Sequence, residues 1–423
     1  MTGALRRAGG AAPPRVLVLG GGVAALEAVL ALRAHAGMRV EIELVAPAAE
    51  LRYPPLDVVE PFGLAPPRLA LADALAPLGV RHRRDAADDV DAREHWVHTR
   101  AGALLHYEAL VLAVGARPLA PFAGALVYGD PRSRAAFAQL LALADRGAAA
   151  GRPEQLLFAV PEGVRWPLPL YELAVMTARR LARPGGAPAA QIALATPERA
   201  PLELFGGRAS GRLLEYLEQL GIAFLPGTRV ERIRPGEVHL APAARTRRAD
   251  RVITLPVLRG PRIDGLPHDA DGFVPIDAHG AVRGVPDVYA AGDATDYPIK
   301  QGGLATQQAD AIAEAIAARV GAPIAPAPFR PVLRGMLVTS ERPQYLEADV
   351  GGAGEAHAAE TPLWWPPTKV AGRFLAPFLA ERLGVRTPAA QADERWLEGA
   401  IPCEITLPVP VPGSTLEPAA RAS

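Results

Sequence analysis

The chain alternates short apolar runs with longer segments in which apolar residues recur at helical spacing. Apolar runs of about four to eight residues are typical of strands buried on both faces, and helical spacing predicts helices packed against them. Such strands are predicted within residues 16–19, 39–46, 107–118, 156–160, 191–198 and 285–295. Strands that alternate with helices favour parallel sheets. The pattern therefore predicts an α/β protein.

The turn after the first strand carries a nucleotide-binding fingerprint. Gly20, Gly22 and Ala25 supply a G-x-G-x-x-A turn between a strand and a helix-forming run. Gly20 allows the tight turn, Gly22 lets the backbone approach a pyrophosphate, and Ala25 keeps helix and strand close. The start of the helix favours negative charge. The predicted pyrophosphate site comprises Gly20, Gly22, Val23, Ala24 and Ala25.

Two further motifs indicate which dinucleotide binds. Residues 107–118 form a buried strand that ends in a turn, and residues 285–295 form a second one that ends in Gly292 and Asp293. Together with the first turn, they resemble the FAD-binding fold of the pyridine nucleotide-disulfide oxidoreductase superfamily. The resemblance implies bound FAD, with Asp293 on the ribitol. The other implied cofactor contacts are Ala46 (where an acidic ribose ligand is usual), Tyr53, Pro54, Ala87, Ala113, Gly115, Arg117, Gly292, Lys300, Gln301 and Gly302.

The resemblance also implies the fold class and the domain organisation. It implies an α/β protein with two Rossmann-like three-layer domains, one FAD-type and one NAD(P)-type, plus a small C-terminal α+β interface domain. The FAD-binding domain is expected in two parts, at residues 1–124 and 256–322. The second nucleotide-binding unit is expected between them, at 125–255. Residues 323–423 are expected to form the interface domain and a tail, which leaves a homodimer as an expectation.

The second unit lacks its glycine-rich turn. Its first strand, at residues 156–160, and its first helix, from Tyr171, are joined by a segment with Trp166 and three prolines. Proline has no backbone N–H, and an indole fills space that a pyrophosphate needs. We predict that this unit does not bind NAD(P)H in the standard way, so that NAD(P)H is a less favoured cofactor than FAD.

The same segment resembles the sulfide-oxidising branch of the superfamily. Sulfide:quinone oxidoreductases and the flavoprotein subunit of flavocytochrome c sulfide dehydrogenase also lack a glycine fingerprint here, and the latter carries Cys-Pro-Pro-x-Pro-Tyr-Glu. This chain has Trp-Pro-Leu-Pro-Leu-Tyr-Glu at residues 166–172, with Trp166 in place of the cysteine. Its one cysteine, Cys403, lies in the tail, and a disulfide shuttle within one chain needs two thiols. The resemblance thus implies the fold without the sulfur chemistry.

Glu172 and Lys300 are the candidate catalytic residues. Glu172 opens a helix that lies beside the flavin in this superfamily, and the alternative is a glutamate that only stabilises the helix start. Lys300 lies in a segment similar to the Pro-Lys segment of sulfide:quinone oxidoreductases, which implies that its charge stabilises a reduced, anionic flavin. A solvated loop lysine is the alternative. Type II NADH dehydrogenases resemble this segment too, but only Gln307 remains of their Ala-Gln-x-x-x-Gln quinone motif.

Composition mainly excludes classes of partner. Half of the residues are hydrophobic and the formal net charge is zero, so no nucleic acid is expected as a partner. No apolar run approaches the roughly 20 residues of a membrane span, which predicts a cytoplasmic protein and leaves peripheral membrane contact open. The histidines show no metal-ligand spacing, and no metal is predicted. An apolar stripe at helical spacing, predicted as core or dimer contact, comprises Phe374, Leu375, Phe378 and Leu379.

The leading hypothesis is an FAD-dependent oxidoreductase without a redox disulfide. It moves two electrons or a hydride from a small-molecule donor to an acceptor such as a quinone or dioxygen. The expected donor pocket is formed by residues 53–55, 166–172 and 364–369, with Trp364 and Trp365 closing it. One alternative is an NAD(P)H:quinone or NAD(P)H:carrier reductase that binds nicotinamide unconventionally. Another is a flavin-binding scaffold or redox sensor without turnover.

Overall fold

The structure is a computed structural model. It describes residues 12–51, 53–64, 66, 68–129, 131–182, 188–242, 245–337, 344–347, 357–359, 369–382 and 405–406. Trp364, Trp365, Cys403 and most of the tail lie outside the described residues. Within the described part, no helix combines the length and the apolar character that a membrane crossing requires.

The first domain begins with ten strands and two α-helices. The strands are β1 (Arg15–Leu19), β2 (Glu41–Val45), β3 (Glu50–Leu51), β4 (Leu69–Ala70), β5 (Arg81–Arg83), β6 (Ala87–Asp91), β7 (Trp96–Thr99), β8 (Leu104–His106), β9 (Ala109–Leu112) and β10 (Arg117–Leu119). The helices are α1 (Val23–Ala36) and α2 (Leu71–Leu75). Short 3-10 helices lie at Gly37–Arg39, Pro54–Phe62 and Ala76–Leu78.

In its described residues, the second unit contains nine strands and three α-helices. In chain order they are β11 (Leu126–Val127), α3 (Pro131–Ala149), β12 (Glu154–Ala159), α4 (Leu168–Leu181), β13 (Ala190–Ala195), α5 (Gly206–Gln219), β14 (Ile222–Leu225), β15 (Arg229–Arg234), β16 (Glu237–Ala241), β17 (Arg245–Arg248), β18 (Arg251–Thr254) and β19 (Val257–Arg259). A 3-10 turn at Glu203–Phe205 precedes α5.

The chain then returns to the first domain and ends in a third region. The first domain is completed by β20 (Val288–Ala290), a 3-10 turn at Gly292–Ala294 and α6 (Gly302–Arg319). The third region contains β21 (Val332–Leu337), β22 (Gln344–Glu347), β23 (His357–Ala359), α7 (Leu375–Arg382) and β24 (Ile405–Thr406).

Two parallel five-stranded sheets form the two nucleotide-binding-type layers. The first has the order β20-β9-β1-β2-β5 and the second the order β11-β18-β12-β13-β14. Antiparallel β10 and β19 pair where the chain crosses between the two layers. The third region contributes the antiparallel sheet β23-β22-β21-β24. This architecture confirms the predicted α/β class with two Rossmann-like layers.

Three element boundaries differ from the sequence prediction. Helix α4 begins at Leu168 rather than Tyr171. The N–H groups of a first helical turn have no acceptor within the helix, so Pro169, which lacks an N–H, is tolerated there. Helix α6 begins at Gly302 rather than near residue 304, because Gln301 caps it. Strand β2 is shorter than the predicted run 39–46, since a 3-10 turn occupies its start.

Helix α7 is anchored to α1 by a buried carboxylate. Glu27, fully buried, accepts hydrogen bonds from the backbone N–H groups of Phe374 (2.9 Å) and Leu375 (2.6 Å), which satisfies the otherwise unpaired start of α7. Leu375 and Leu379 are buried against the core of the first domain. The predicted apolar stripe is therefore a core contact in this structure.

Asp310 of α6 shares a proton with Glu27. Burial, together with the nearby charge and hydrogen bond of Glu27, raises the pKa of Asp310 to about 9 from its ordinary 3.8. Burial raises the pKa of Glu27 as well, but the N–H groups at the start of α7 and the hydrogen bond with Asp310 oppose that rise, so Asp310 is the group of the pair that holds the proton. Two adjacent carboxylates are thus buried with a single negative charge between α1 and α6.

An Asp310→Asn variant is expected to be more stable at alkaline pH than the native chain. Between a pH of about 4 and about 9, folded Asp310 keeps a proton that the unfolded chain has released, so stability falls as the pH rises through this range. Asparagine can donate to Glu27 without binding that proton. We expect a gain of roughly 1–3 kcal/mol in the free energy of unfolding at pH 8.5, and a smaller gain at pH 5. Urea titrations at both pH values measure it, and an equal difference at both would contradict the shared proton.

Candidate functional site

The turn before α1 forms an open cradle. Gly20 has a φ of +120°, and a Cβ on it would lie 2.1 Å from the carbonyl oxygen of Ala113, so only glycine fits. A Cβ on Gly22 would meet no atom within 4 Å. Gly22 is the N-cap of α1 and offers no side chain to its first N–H groups. Space and unpaired donors therefore coincide where the sequence predicts the pyrophosphate.

Asp293 lies beside this cradle because α1 and α6 converge on Gly292. A Cβ on Gly292 would lie 3.4 Å from the Cβ of Ala24 and 3.3 Å from that of Ala305, and its N–H donates to Gln308 (2.7 Å). Burial raises the pKa of Asp293, and the charge of Lys300 opposes that rise. Within the described residues no donor hydrogen-bonds this carboxylate. A partly buried acceptor without a protein donor suits the hydroxyl groups of a ribitol.

The ribose position at the end of β2 has no acidic side chain. Ala46 is fully buried there, and its Cβ would lie 3.0 Å from a Cβ on Gly21. Glu43 is held away by Arg15 and Arg83, with a 2.7 Å bond from Arg83. Burial would raise the pKa of Glu43, but hydrogen bonds from these arginines hold it below its usual value. A dinucleotide ribose would therefore meet backbone here rather than a carboxylate.

Lys300 is a half-buried cation of the site and not a solvated loop lysine. Its Nζ donates to the carbonyl oxygen of Thr295 and lies 3.7 Å from the centre of the Phe273 ring. Burial lowers the pKa of Lys300 to about 8, although Asp293 and Asp296 act in the opposite direction. Removal of water makes its charge act more strongly on nearby groups.

The side chains of Gln301 and Gln307 serve the fold. Gln301 accepts from the N–H of Leu304 (2.7 Å) and donates to the carbonyl of Arg334 (2.9 Å), which leaves only its backbone for a cofactor. Gln307 donates to and accepts from the backbone of Val332, both at 2.8 Å. The predicted cofactor contact of Gln301 stays a prediction, and only its backbone is free to make it. The side chain of Gln307 joins α6 to β21.

The other predicted contacts are spread around the turns. Ala87 begins β6 and is half-buried, while Ala113 is buried and supplies the carbonyl next to Gly20. Gly115 has a φ of +72° with open space on its Cβ side. Arg117 is exposed and donates to the carbonyl of Gly260 (3.2 Å), because β10 pairs with β19. The structure thus gives Arg117 a structural role between two strands.

The N-terminus of α4 is closed to phosphate. Pro167 and Pro169 have no N–H, and the N–H of Leu170 donates to the carbonyl of Pro167 (2.8 Å). Trp166 packs against Phe205, with ring centres 5.7 Å apart. The start of α4 therefore lacks the N–H groups of two prolines, has that of Leu170 already bonded, and has the Trp166 ring beside it.

The acidic residue after β13, Glu198, is already hydrogen-bonded within the second unit. Glu198 accepts hydrogen bonds from the hydroxyls of Tyr171 (2.7 Å) and Thr196 (2.9 Å). Burial raises the pKa of Glu198 to about 6, and these hydrogen bonds oppose the rise. Tyr171 is fully buried, so the first turn of α4 depends on this contact. Glu198 is thus hydrogen-bonded to Tyr171 and Thr196 within the second unit.

A cavity of about 610 Å³ opens between the first domain and the second unit. Its wall contains four aromatic rings, those of Tyr128, Trp166, Phe273 and Tyr297, and the ammonium of Lys300. Pro54 and Pro169 also line it, as the sequence predicted for their segments. Tyr53 and Glu172 do not. Tyr53 instead accepts a hydrogen bond from the N–H of Val370 (2.8 Å), which turns its hydroxyl toward the third region.

A buried ion cluster fixes the second unit against this cavity. Arg134 of α3 pairs with Asp57 (2.7 Å) and Glu60, both in the 3-10 helix of the first domain. The hydroxyl of Tyr128 donates to the carbonyl oxygen of Asp57 (2.6 Å). Asp57 and Tyr128 both line the cavity, so the shape of the cavity depends on this cluster.

Glu172 is bound by Lys369 behind the cavity wall. Lys369 donates to the Glu172 carboxylate and to the carbonyl oxygen of Met336 (2.9 Å), and the two side chains are 5% and 0% exposed. Val370, the next residue, approaches α6, because a Cβ on Gly302 would lie 2.8 Å from its Cγ2. The predicted role of Glu172 as an acid or base in the pocket is corrected: a buried carboxylate requires a cation, and here that cation is Lys369.

The sequence prediction placed Lys369 in the expected donor pocket but did not assign it the role of cation for Glu172, although the composition signals its special position. Of the 45 lysines and arginines, only Lys300 and Lys369 are lysines, and both are largely buried at this junction. Where arginine supplies almost every cation, a lysine marks a place that needs a compact ammonium with few donors. No group of three or more metal-ligating side chains occurs in the described part of the chain.

The residues present fit FAD better than a nicotinamide dinucleotide. Gly20 and Gly22 leave an open cradle at α1, and Asp293 offers a carboxylate without a protein donor next to it. The corresponding turn before α4 offers neither. One dinucleotide site is thus retained and the other is altered.

Comparisons with known proteins agree with this geometry. Residues 173–316 match the family model described as pyridine nucleotide-disulphide oxidoreductase. A search among curated proteins finds no match by sequence. Among solved structures, the chain is similar to the sulfide:quinone oxidoreductase from the hyperthermophilic bacterium Aquifex aeolicus, with 20% identity, a TM-score of 0.69 and coverage of 79% of this chain and 84% of that chain.

Two further structures share the fold. A ferredoxin reductase from Rhodopseudomonas palustris is 17% identical, with a TM-score of 0.62 over 81% of this chain and 84% of that chain. NDH2 from Plasmodium falciparum in complex with NADH is 14% identical, with a TM-score of 0.55 over 67% of this chain and 64% of that chain. At these identities the likeness concerns the fold. The family model matches only residues 173–316, so the chain is similar to pyridine nucleotide-disulphide oxidoreductases in that segment and shares the fold of these structures.

Proposed function

We propose that the chain is an FAD-dependent oxidoreductase that oxidises a small donor in the cavity beside Lys300 and reduces a quinone or dioxygen. The observation that carries the proposal is the contrast between the two helix starts. The cradle at Gly22 is open, whereas the α4 start is blocked by prolines and Trp166. Similar proteins with sulfide:quinone oxidoreductase and ferredoxin reductase in their names support the reaction class.

The side chains around the cavity have distinct roles in this proposal. FAD supplies two-electron redox chemistry when it is bound. The main-chain donors at Gly22 bind its pyrophosphate, and Asp293 accepts from its ribitol. Lys300 provides positive charge where negative charge develops on reduction. Trp166 and Phe273 exclude water, which strengthens the effect of that charge.

The Glu172–Lys369 pair holds the site together without contacting the cavity. It joins α4 to β21 through Met336, and Val370 continues to the start of α6. A wall made from three regions of the chain keeps one shape only if its buried charges stay paired. We therefore assign Glu172 and Lys369 as positioning residues of this site.

A Lys300→Met variant is expected to reduce turnover by roughly 10- to 100-fold, because the buried cation that stabilises developing negative charge is lost. Wild-type turnover should fall as the pH rises through about 8, where Lys300 loses its proton. The variant should lack this step in its pH profile, and Lys300→Arg, which keeps the charge, should move it to higher pH. A Lys300→Met profile that retains the step would contradict the assignment.

Purified protein is expected to show flavin absorbance and slow anaerobic bleaching by NADH and NADPH. A panel of small donors, tested by stopped flow, should contain at least one that reduces the flavin faster than either nucleotide. Absence of flavin, even after reconstitution with FAD, would overturn the proposal. A flavin that no donor reduces would instead favour the scaffold hypothesis.

A nicotinamide-dependent reductase is the second candidate function. The parallel sheet β11-β18-β12-β13-β14 of the second unit is complete, and the family model spans most of it from residue 173. Nicotinamide would then have to bind without the phosphate cradle at α4. Rapid flavin bleaching by NADH or NADPH in the same experiment would establish this candidate in place of the first.

A further inference from the structure

An arginine-rich sheet projects from the second unit. The segment from residue 229 to 251, which contains β15, β16 and β17, holds seven arginines and three acidic residues. The whole chain carries a formal net charge of zero, so this segment is a local positive excess. We call β15, β16 and β17 the arginine-rich sheet.

One face of the arginine-rich sheet is apolar and buried, and the other is basic and exposed. Val230, Val238 and Leu240 pack into a core cluster with β12 and β13. In the register of the strands, Arg232 lies opposite His239 and Arg234 opposite Glu237. Arg248 of β17 is paired with Glu237 across the other edge of β16. Side chains alternate along a strand, so Glu237 and His239 lie opposite to the buried Val238 and Leu240. The arginines paired with them therefore lie on the outer face.

The cations of the outer face are available to a partner. Arg234 and Arg248 form only long, exposed pairs, at 3.8 Å with Glu237 and at 3.5 Å with Asp250, and their side chains are 53% and 74% exposed. Exposed pairs of this kind are worth less than about 1 kcal/mol and are easily exchanged. Arg232 makes no ion pair with the described residues.

The arginine-rich sheet adjoins the mouth of the cavity. Arg229, the first residue of β15, lies 4.0 Å from Glu162, which lines the cavity together with the exposed Arg165. A molecule bound on the outer face would therefore lie next to the opening of the proposed redox site. The opening itself carries both signs, because Arg165 lies there together with Glu162, so the positive excess belongs to the sheet rather than to the cavity.

We propose that the outer face of the arginine-rich sheet docks an acidic protein at the mouth of the cavity. Guanidinium groups bind carboxylates in a planar, two-bond geometry, and arginine is the cation used throughout this sheet. Nucleic acid fits less well, because residues 228–251 contain no Phe, Tyr or Trp for stacking on bases. A membrane also fits less well, because the apolar residues of the sheet face its core.

The test compares two triple variants with the same change in net charge. The first carries Arg232→Glu, Arg234→Glu and Arg248→Glu on the outer face. The second carries Arg68→Glu, Arg93→Glu and Arg100→Glu, three exposed arginines of the first domain. Binding of a small acidic ferredoxin to the purified full chain is measured by surface plasmon resonance, with basic cytochrome c as the probe of opposite charge. The readout is binding alone, so it stands or falls independently of the redox proposal.

The acidic probe is expected to bind the native chain and to lose at least about tenfold in affinity when salt rises from about 50 to 300 mM. The outer-face triple variant should lose on the order of tenfold at low salt, and the first-domain triple variant less than about threefold. Equal losses, or no preference for the acidic probe over cytochrome c, would show that the arginines only protect strand edges. Tighter binding of a single-stranded oligonucleotide or of phosphatidylserine vesicles, lost in the outer-face variant, would also overturn the proposal.

Discussion

A Gly20→Ala variant is expected to lose both FAD and stability, whereas Gly22→Ala is expected to lose FAD alone. The methyl group on residue 20 would lie 2.1 Å from the carbonyl oxygen of Ala113, on a backbone with a φ of +120°. Because the obstacle is main chain, the cost should exceed about 4 kcal/mol. At Gly22 the backbone is extended and nothing lies within 4 Å, so the methyl group occupies only the space meant for pyrophosphate.

The ratio of flavin to protein absorbance and the thermal unfolding midpoint separate these outcomes. Native chain and Gly22→Ala should unfold at similar temperatures when both are stripped of flavin, and only the native chain should recover flavin from added FAD. Gly207→Ala serves as the matched control, since a Cβ there also meets nothing within 4 Å and it lies in α5. Full retention of flavin by Gly22→Ala would remove the main support for the cofactor.

A Lys369→Met variant is expected to lower the free energy of unfolding by about 3–5 kcal/mol, because Glu172 then stays buried without its cation. The carbonyl of Met336 also loses its donor. A double variant, Glu172→Leu with Lys369→Met, should recover most of the loss, since an apolar pair removes the charge that needed compensation. Urea titration of the native chain, Glu172→Leu, Lys369→Met and the double variant gives the coupling energy between the two side chains directly.

Arg68→Met is the control for this cycle. It breaks an exposed pair with Glu50, with side chains 76% and 49% exposed, and should cost less than about 1 kcal/mol. If Lys369→Met costs no more than Arg68→Met, the buried pair does not hold the wall together. Failure of the double variant to recover stability would show that the ammonium has a role beyond neutralising Glu172.

Features that depend on a few consecutive residues could be predicted from the sequence. The strand, turn and helix around Gly20 and Gly22 require particular backbone angles and open space. The residues that meet both requirements are neighbours in the sequence. The blocked start of α4 was predictable for the same reason, because Pro167 and Pro169 remove N–H groups wherever the helix begins. The α/β class and the resemblance to the pyridine nucleotide-disulphide oxidoreductases followed from several such segments in order.

Features that depend on pairing across the chain could not be predicted. Glu172 and Lys369 are 197 residues apart, and Glu27 caps a helix that begins almost 350 residues later. The residue type of Glu172 suggested an acid or base, and only its burial showed that it needs a cation. Gln307 likewise matched a quinone motif by position, while its two bonds to Val332 assign it to the junction of α6 and β21.

The open first dinucleotide turn and the closed second one could be recognised from neighbouring residues, because steric space and the presence of an N–H are local properties. Which charges are buried, what pairs with them and which side chains face the cavity became known from the packed fold. Burial is a property of the packed chain, and the cost of an unpaired charge depends on surroundings that distant segments supply. Lys300 therefore proved to belong to the cavity and Glu172 to the wall behind it.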